Sequence, residues 1–185
     1  VLGRDPDDPL FGAVGHGTAS ASVATGNTLG TCPTCLLFLH QALDSELLAA
    51  TTWVDVTSHS FLRGNDDQRA ASPRVQATRD AARRGQVTLF GGGNGQGPFV
   101  LPFTDGQASQ DQGPSWVVQV GGVNEATGRP LIGDQAVVKV SSYAKGRIPA
   151  AAANSVTEQR NYGGTSAATP ITAGVFATVL HQART

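Results

Sequence analysis

Gly164-Thr165-Ser166-Ala167-Ala168-Thr169-Pro170 is the stretch from which the rest of this chain is read. A hydroxyl stands among small residues, a proline follows four positions later, and an apolar run from Ile171 to Leu180 continues behind it. The run predicts a helix beginning near Ser166. A helix start there puts the Ser166 Oγ at the positive end of the helix dipole, beside backbone N–H groups without intrahelical acceptors. Pro170 is expected in or just after the first turn, where a missing N–H costs little. A serine at a helix start is often only a cap, but the length of this string points to a nucleophile. Serine attacks poorly at neutral pH unless a base takes its proton.

The candidate base lies far upstream, in Gly15-His16-Gly17-Thr18-Ala19-Ser20. Glycines on both sides of His16 leave room for an imidazole and a substrate, and the small residues after it predict a tightly packed helix from His16 to about Ala24, ended by Gly26-Asn27. Between these segments, a strand pattern from Gln86 to Phe90 runs into Gly91-Gly92-Gly93-Asn94. Taken alone that would be a glycine-rich turn with Asn in the left-handed region. It follows a strand, however, and lies between the other two motifs.

These segments together resemble the histidine, oxyanion-hole and serine boxes of the subtilisin-like serine proteases, in that family's chain order. The resemblance covers nearly the whole chain. It implies an α/β fold, a subtilisin-like three-layer sandwich with a mostly parallel central sheet, incomplete at the N-terminal end and short at the C-terminal end. It implies His16 as base, Ser166 as nucleophile and Asn94 as oxyanion donor in peptide-bond hydrolysis. The family's second histidine, three positions after the first, is replaced by Ala19. The sedolisin peptidases share a similar serine box, but place Glu where His16 stands and Asp where Asn94 stands.

The carboxylate that should precede the histidine box is not evident. Asp5, Asp7 and Asp8 precede His16 but sit among prolines. The expected source is therefore another chain or a missing segment that supplies the Asp strand. Without it the imidazole can take the wrong tautomer and loses the stabiliser of its charged form. The competing expectation is a catalytically inactive fragment that acts as a peptide-binding or assembly module.

The resemblance also places the substrate. An extended peptide would pair near Ser58, His59 and Ser60, where the family has Ser, a variable residue and Gly; here glycine is delayed to Gly64. Gly91, Gly92 and Gly93 would form another wall of the pocket, unlined by side chains, which predicts tolerance of a large P1 residue. The family's calcium loop has no counterpart in the short, carboxylate-free link from Gly26 to Thr31.

Bulk properties agree. Of 185 residues, 39% are hydrophobic and 15% charged, which favours an ordered chain, read as one domain over residues 1–185. A net charge of −1 without a basic block argues against nucleic acid or an anionic membrane as partner. No apolar stretch has the length of a membrane span. Methionine is absent, even at position 1, so the sequence reads as a processed or partial polypeptide. Cys32-Pro33-Thr34-Cys35, with His40 and Asp44 following, weakly suggests zinc; a short-loop disulfide or two plain thiols is preferred, and no metal or cofactor is expected. A secreted or extracytoplasmic protein would favour the disulfide.

Further elements complete the expectation: strands at Cys35–Leu39, Trp53–Phe61, Trp116–Val120 and Val137–Val140, and helices at Leu43–Ala50 and Pro73–Arg84, with Ser72 as cap. Residues 1–15, 63–71 and 98–114 read as loops, and His181 as a surface or helix-end residue.

Overall fold

Short runs rich in valine place the sheet, because β-branched side chains suit strands buried on both faces. In the computed structural model, residues 15–39, 51–60, 73–92, 94, 116–130, 140–145, 148–152, 155 and 157–185 are described. Strands β1 (Val56–His59), β2 (Val87–Gly91), β3 (Val117–Asn124) and β4 (Val140–Lys145) form a parallel sheet in the order β1-β2-β3-β4. The register sets Ser58 opposite Leu89, Leu89 opposite Val118, and Val120 opposite Val140.

The strand period of two sorts the side chains onto two faces. Val87 and Leu89, with Val118 and Val120, pack against Ala168 and Ala173 of helix α3 (Thr165–Arg184). Phe90 and Val117 belong to the other face, with Trp116, whose indole N–H donates to Thr78 Oγ1 of helix α2 (Pro73–Arg83) at 3.2 Å. Helices thus cover both faces, giving the expected three layers.

Helix α1 (His16–Thr25) runs from His16 and stops at Gly26, as the small-residue pattern predicts. It buries Ala19 and Val23 in a second core cluster with Ala150, Tyr162 and Ala167. Ala167 and Ala168 are adjacent in α3 yet serve different cores, so α3 is wedged between the sheet and α1. Side chains larger than alanine would not leave that room. α3 also follows β1 from end to end: Ser60 bonds to Ser166, and Arg184 bonds to Asp55 at 2.6 Å.

Three expectations change. The run Cys35–Leu39 is not a strand, and Leu36 to Leu39 are exposed, Leu36 fully so. An apolar run becomes a buried strand only where a neighbour supplies a ladder, and no strand among the described residues pairs with it. The strand expected from Trp53 starts at Val56, with Trp53 exposed in a turn before it. The strand from Trp116 extends through Gly121 and Gly122 to Asn124. An antiparallel hairpin, β5 (Ile148–Ala151) with β6 (Gln159–Tyr162), was not anticipated. Its small and polar residues carry no clear period, and tertiary contacts hold it: Ser22 Oγ accepts from the Ala151 N–H at 2.9 Å. The helix expected at Leu43–Ala50, the loops at 1–14, 63–71 and 98–114, and residues 137–139 lie outside the described residues.

Gly174 sets how closely α1 and α3 approach, since a Cβ built on it would lie 2.7 Å from the Ala24 carbonyl oxygen. That atom is backbone and cannot swing away. Gly174→Ala is therefore expected to destabilise the protein by about 1–3 kcal/mol, read as a lower urea midpoint with an unchanged slope.

Candidate active site

The site forms where the N-termini of α1 and α3 meet the C-terminal ends of β1 and β2. Helix α3 begins at Thr165, with Gly164 as its N-cap residue at φ 69°, a conformation that disfavours side chains. A Cβ on Gly164 would also lie 2.7 Å from Asn94 Oδ1. Gly164 makes no side-chain cap. The cap comes instead from a distant residue: Asn94 Oδ1 accepts from the Thr165 N–H at 2.8 Å and from Thr165 Oγ1 at 3.2 Å. A carboxamide has one acceptor end and one donor end. With Oδ1 held on the helix start, the Nδ2 donors face away from Thr165.

Ser166 is the second helical residue, half-buried. Among the first-turn donors, the Thr165 N–H goes to Asn94, while the Ala167 and Ala168 N–H groups reach the Gly164 carbonyl. The Ser166 N–H has no acceptor among the described residues, and the residue before it is the one bonded to Asn94.

Pro170 sits just after the first turn of α3, as expected. The N–H it lacks is the one that would bond the Ser166 carbonyl, four residues earlier. Two side chains take over that acceptor: Ser60 Oγ and the Tyr162 hydroxyl each donate to Ser166 O at 2.9 Å. In return Ser166 Oγ donates to the Ser60 carbonyl at 3.3 Å.

His16 is the first residue of α1 after Gly15, which has φ 89°. Its Nε2 lies 3.3 Å from the Tyr162 hydroxyl, and the two rings meet edge to face with centroids 5.4 Å apart. Tyr162 therefore joins His16 to Ser166, and the three sequence motifs converge. The remaining candidates differ in placement. Ser58 is exposed on β1. His59 stacks on Phe90, rings 4.3 Å apart, and so belongs to the α2 face of the sheet. Ser60 is the β1 residue that touches Ser166. Gly91 is buried under α3, where a Cβ would lie 3.2 Å from Thr165 Oγ1 and Thr169 Oγ1. The buried Gly92 continues the sheet, its N–H donating to the Val120 carbonyl at 2.8 Å. Gly93 and the aspartates at 5, 7 and 8 lie outside the described residues. Cys32 and Cys35 form a disulfide. No helix among the described residues is long and apolar enough to cross a membrane.

Sequence reading passed over Tyr162 and Ser20. The available signal was Tyr162 itself, one of only two tyrosines, directly before Gly163-Gly164. Nothing in the sequence marked Ser20, whose Oγ lies 2.5 Å from the Tyr162 hydroxyl.

A parallel sheet with helices on both faces, and a helix that carries a serine in its first turn beside the strand ends, is the subtilisin-like fold. Solved structures bear this out. The chain is similar to the prenylagaramide maturation protease PagA, with 23% identity over 93% of this chain and 66% of that one, TM-score 0.65. It is similar to a cold-adapted subtilisin-like serine proteinase at 18% identity, covering 90% of this chain and 61% of that one, TM-score 0.58. It also resembles the epidermin leader peptide processing serine protease EpiP of Staphylococcus aureus, with 15% identity, 91% and 53% coverage, and TM-score 0.67. The chain thus spans about two thirds or less of these proteins' lengths. No protein-family model matches the chain, and no curated protein does.

The cap assigned to Asn94 separates two variants. Asn94→Ala is expected to cost about 1 kcal/mol of stability, while Asn94→Asp, which keeps an acceptor at the positive end of α3, retains most of it. Thermal unfolding of both variants checks this.

Proposed function

We propose that this chain is the greater part of a subtilisin-like serine endopeptidase catalytic domain. The observation that carries the reading is the convergence of His16, Ser166 and Asn94 at the start of α3, where Tyr162 touches both His16 and Ser166 and Asn94 caps Thr165. In the proposed reaction His16 Nε2 takes the Ser166 proton as Oγ attacks the peptide carbonyl. The oxyanion receives hydrogen bonds from the Ser166 N–H and Asn94 Nδ2. The imidazolium then gives its proton to the leaving amine, and water, activated by His16, releases the acyl group from Ser166.

The mechanism needs a carboxylate on His16 Nδ1. We place its source on a strand, from another chain or a segment outside the described residues, that pairs with the outer edge of β1. Two features support this. β1 is the terminal strand among the described residues, and Phe38 of the exposed Leu36–Leu39 run packs on the exposed Trp53 ahead of β1, with 5.0 Å between rings. A parallel strand added there would end at the level of Ser60, beside Ser166. The same apolar edge also supports the second reading, a catalytically inactive module that assembles with a partner through that edge. The substrates are peptides or proteins. The Cys32–Cys35 disulfide supports a place outside the reducing cytoplasm.

Fluorophosphonate labelling of the native preparation, with the site mapped by mass spectrometry, is expected to modify Ser166 and to fail in Ser166→Ala. Asn94→Asp is expected to slow labelling by about 10²–10³, the scale of one oxyanion donor. A folded sample that does not label supports the assembly module instead. In a panel of peptides differing at P1, large residues are expected to be cleaved. A strict requirement for Gly or Ala would show that the glycine wall does not leave the pocket open.

A further inference from the structure

We propose that Asn94 is a site of spontaneous deamidation, through which the folded chain loses its carboxamide nitrogen as it ages. The chemistry is independent of the peptidase reading; only its consequence for activity rests on that reading.

The sequence supplies the reacting pair. Among the asparagines of the chain, only Asn94 is followed by glycine. The backbone nitrogen of the next residue can close a ring on the asparagine Cγ, and a side chain on that residue hinders the approach. Gly95 has none. The step needs no reagent but water. The Gly95 nitrogen bonds to Cγ and gives its proton to solvent. The Cγ–Nδ2 bond breaks, and the nitrogen takes a proton from water and leaves as ammonia. Water then opens the cyclic imide at one of its two carbonyls, giving aspartate or isoaspartate. No electrons are exchanged with another molecule.

The fold supplies the activation. Attack on Cγ drives negative charge onto Oδ1, and Oδ1 is the atom held by the Thr165 N–H at 2.8 Å and by Thr165 Oγ1 at 3.2 Å. Both donors belong to the first residue of a twenty-residue helix, at the positive end of its dipole. Donors aimed where charge develops lower a barrier. The leaving nitrogen is at the other end of the carboxamide, and Asn94 is exposed, so water reaches it. The aspartate product fits as well, since a carboxylate oxygen accepts the same two bonds and its charge suits a helix start. Two other asparagines each lack part of this arrangement. Asn124 Oδ1 also accepts a backbone N–H, that of Ala126 at 3.0 Å, but Glu125 follows it. Asn161 is exposed, but Tyr162 follows it. On the peptidase reading, each converted molecule stays folded and loses the Nδ2 donor to the oxyanion, so activity has a lifetime set by this one residue.

The 185-residue chain, incubated at neutral pH and sampled over time by peptide mapping with mass spectrometry, tests this. The mass gain of an amide-to-acid conversion, with isoaspartate, is expected in the Asn94 peptide and not in those of Asn124 or Asn161. Gly95→Ala is expected to abolish the gain over the same interval. Thr165→Val, which removes one donor from Oδ1 and keeps the backbone N–H, is expected to slow it about tenfold, the scale of one ordinary hydrogen bond; its urea midpoint reports whether the fold is kept. Wild type unfolded in urea is the second comparison. Asn94 that stays intact in the folded chain while converting in urea, or that converts faster in folded Thr165→Val than in wild type, overturns the proposal, because the clamp then protects the residue. Fluorophosphonate labelling of Ser166 is expected to fall in step with conversion, each converted molecule reacting about 10²–10³ slower. Undiminished labelling of fully converted protein overturns the stated consequence. If even fresh protein does not label while Asn94 converts, the peptidase reading fails and the deamidation site stands.

Discussion

The carbonyl of Ser166 is the point on which this site depends. Pro170 removes its helical donor, and a buried carbonyl without a partner is costly. The chain answers with two hydroxyls from distant elements, Ser60 after β1 and Tyr162 at the end of β6. One proline in α3 thus draws the sheet edge and the hairpin onto the same atom. Tyr162 then carries the connection on to His16 and α1.

The start of α3 is built on the same principle. Its N-cap residue is a glycine and supplies no side chain, so the helix borrows an acceptor from Asn94, beyond the end of β2. The cap uses only the oxygen, and because the two ends of a carboxamide have opposite roles it is compatible with the donor role proposed for the nitrogen. Gly91 is explained by the same closeness: the threonines of α3 occupy the space its side chain would need.

The N-terminus of a twenty-residue helix sets fixed partial positive charge at Ser166, where the proposed reaction would form its oxyanion. The exposed Leu36–Leu39 run, which touches Trp53 ahead of β1 through Phe38, is an unusual surface, since it sets four adjacent apolar residues in water.

The motifs around His16, Asn94 and Ser166 were legible in the sequence because local chemistry writes them there: glycines where space or positive φ is needed, small residues where helices touch, and apolar runs where strands are buried. The parallel sheet was legible too, from alternating helix and strand patterns. The failures share one cause. Leu36–Leu39 reads as a strand by composition, but a strand exists only with a neighbour, and sequence periodicity says nothing about whether the neighbour is there. The hairpin β5–β6 has no period to read, and contacts such as that of Ser22 with Ala151 hold it. Tyr162 and Ser20 lie 142 residues apart and meet only in the folded chain. By itself, then, the sequence determined the motifs around His16, Asn94 and Ser166 and most of the helices and strands that bear them. The tertiary structure alone decided which of these residues meet and through which partners, because a hydrogen bond is fixed by where its partner stands and not by where its residue falls in the chain.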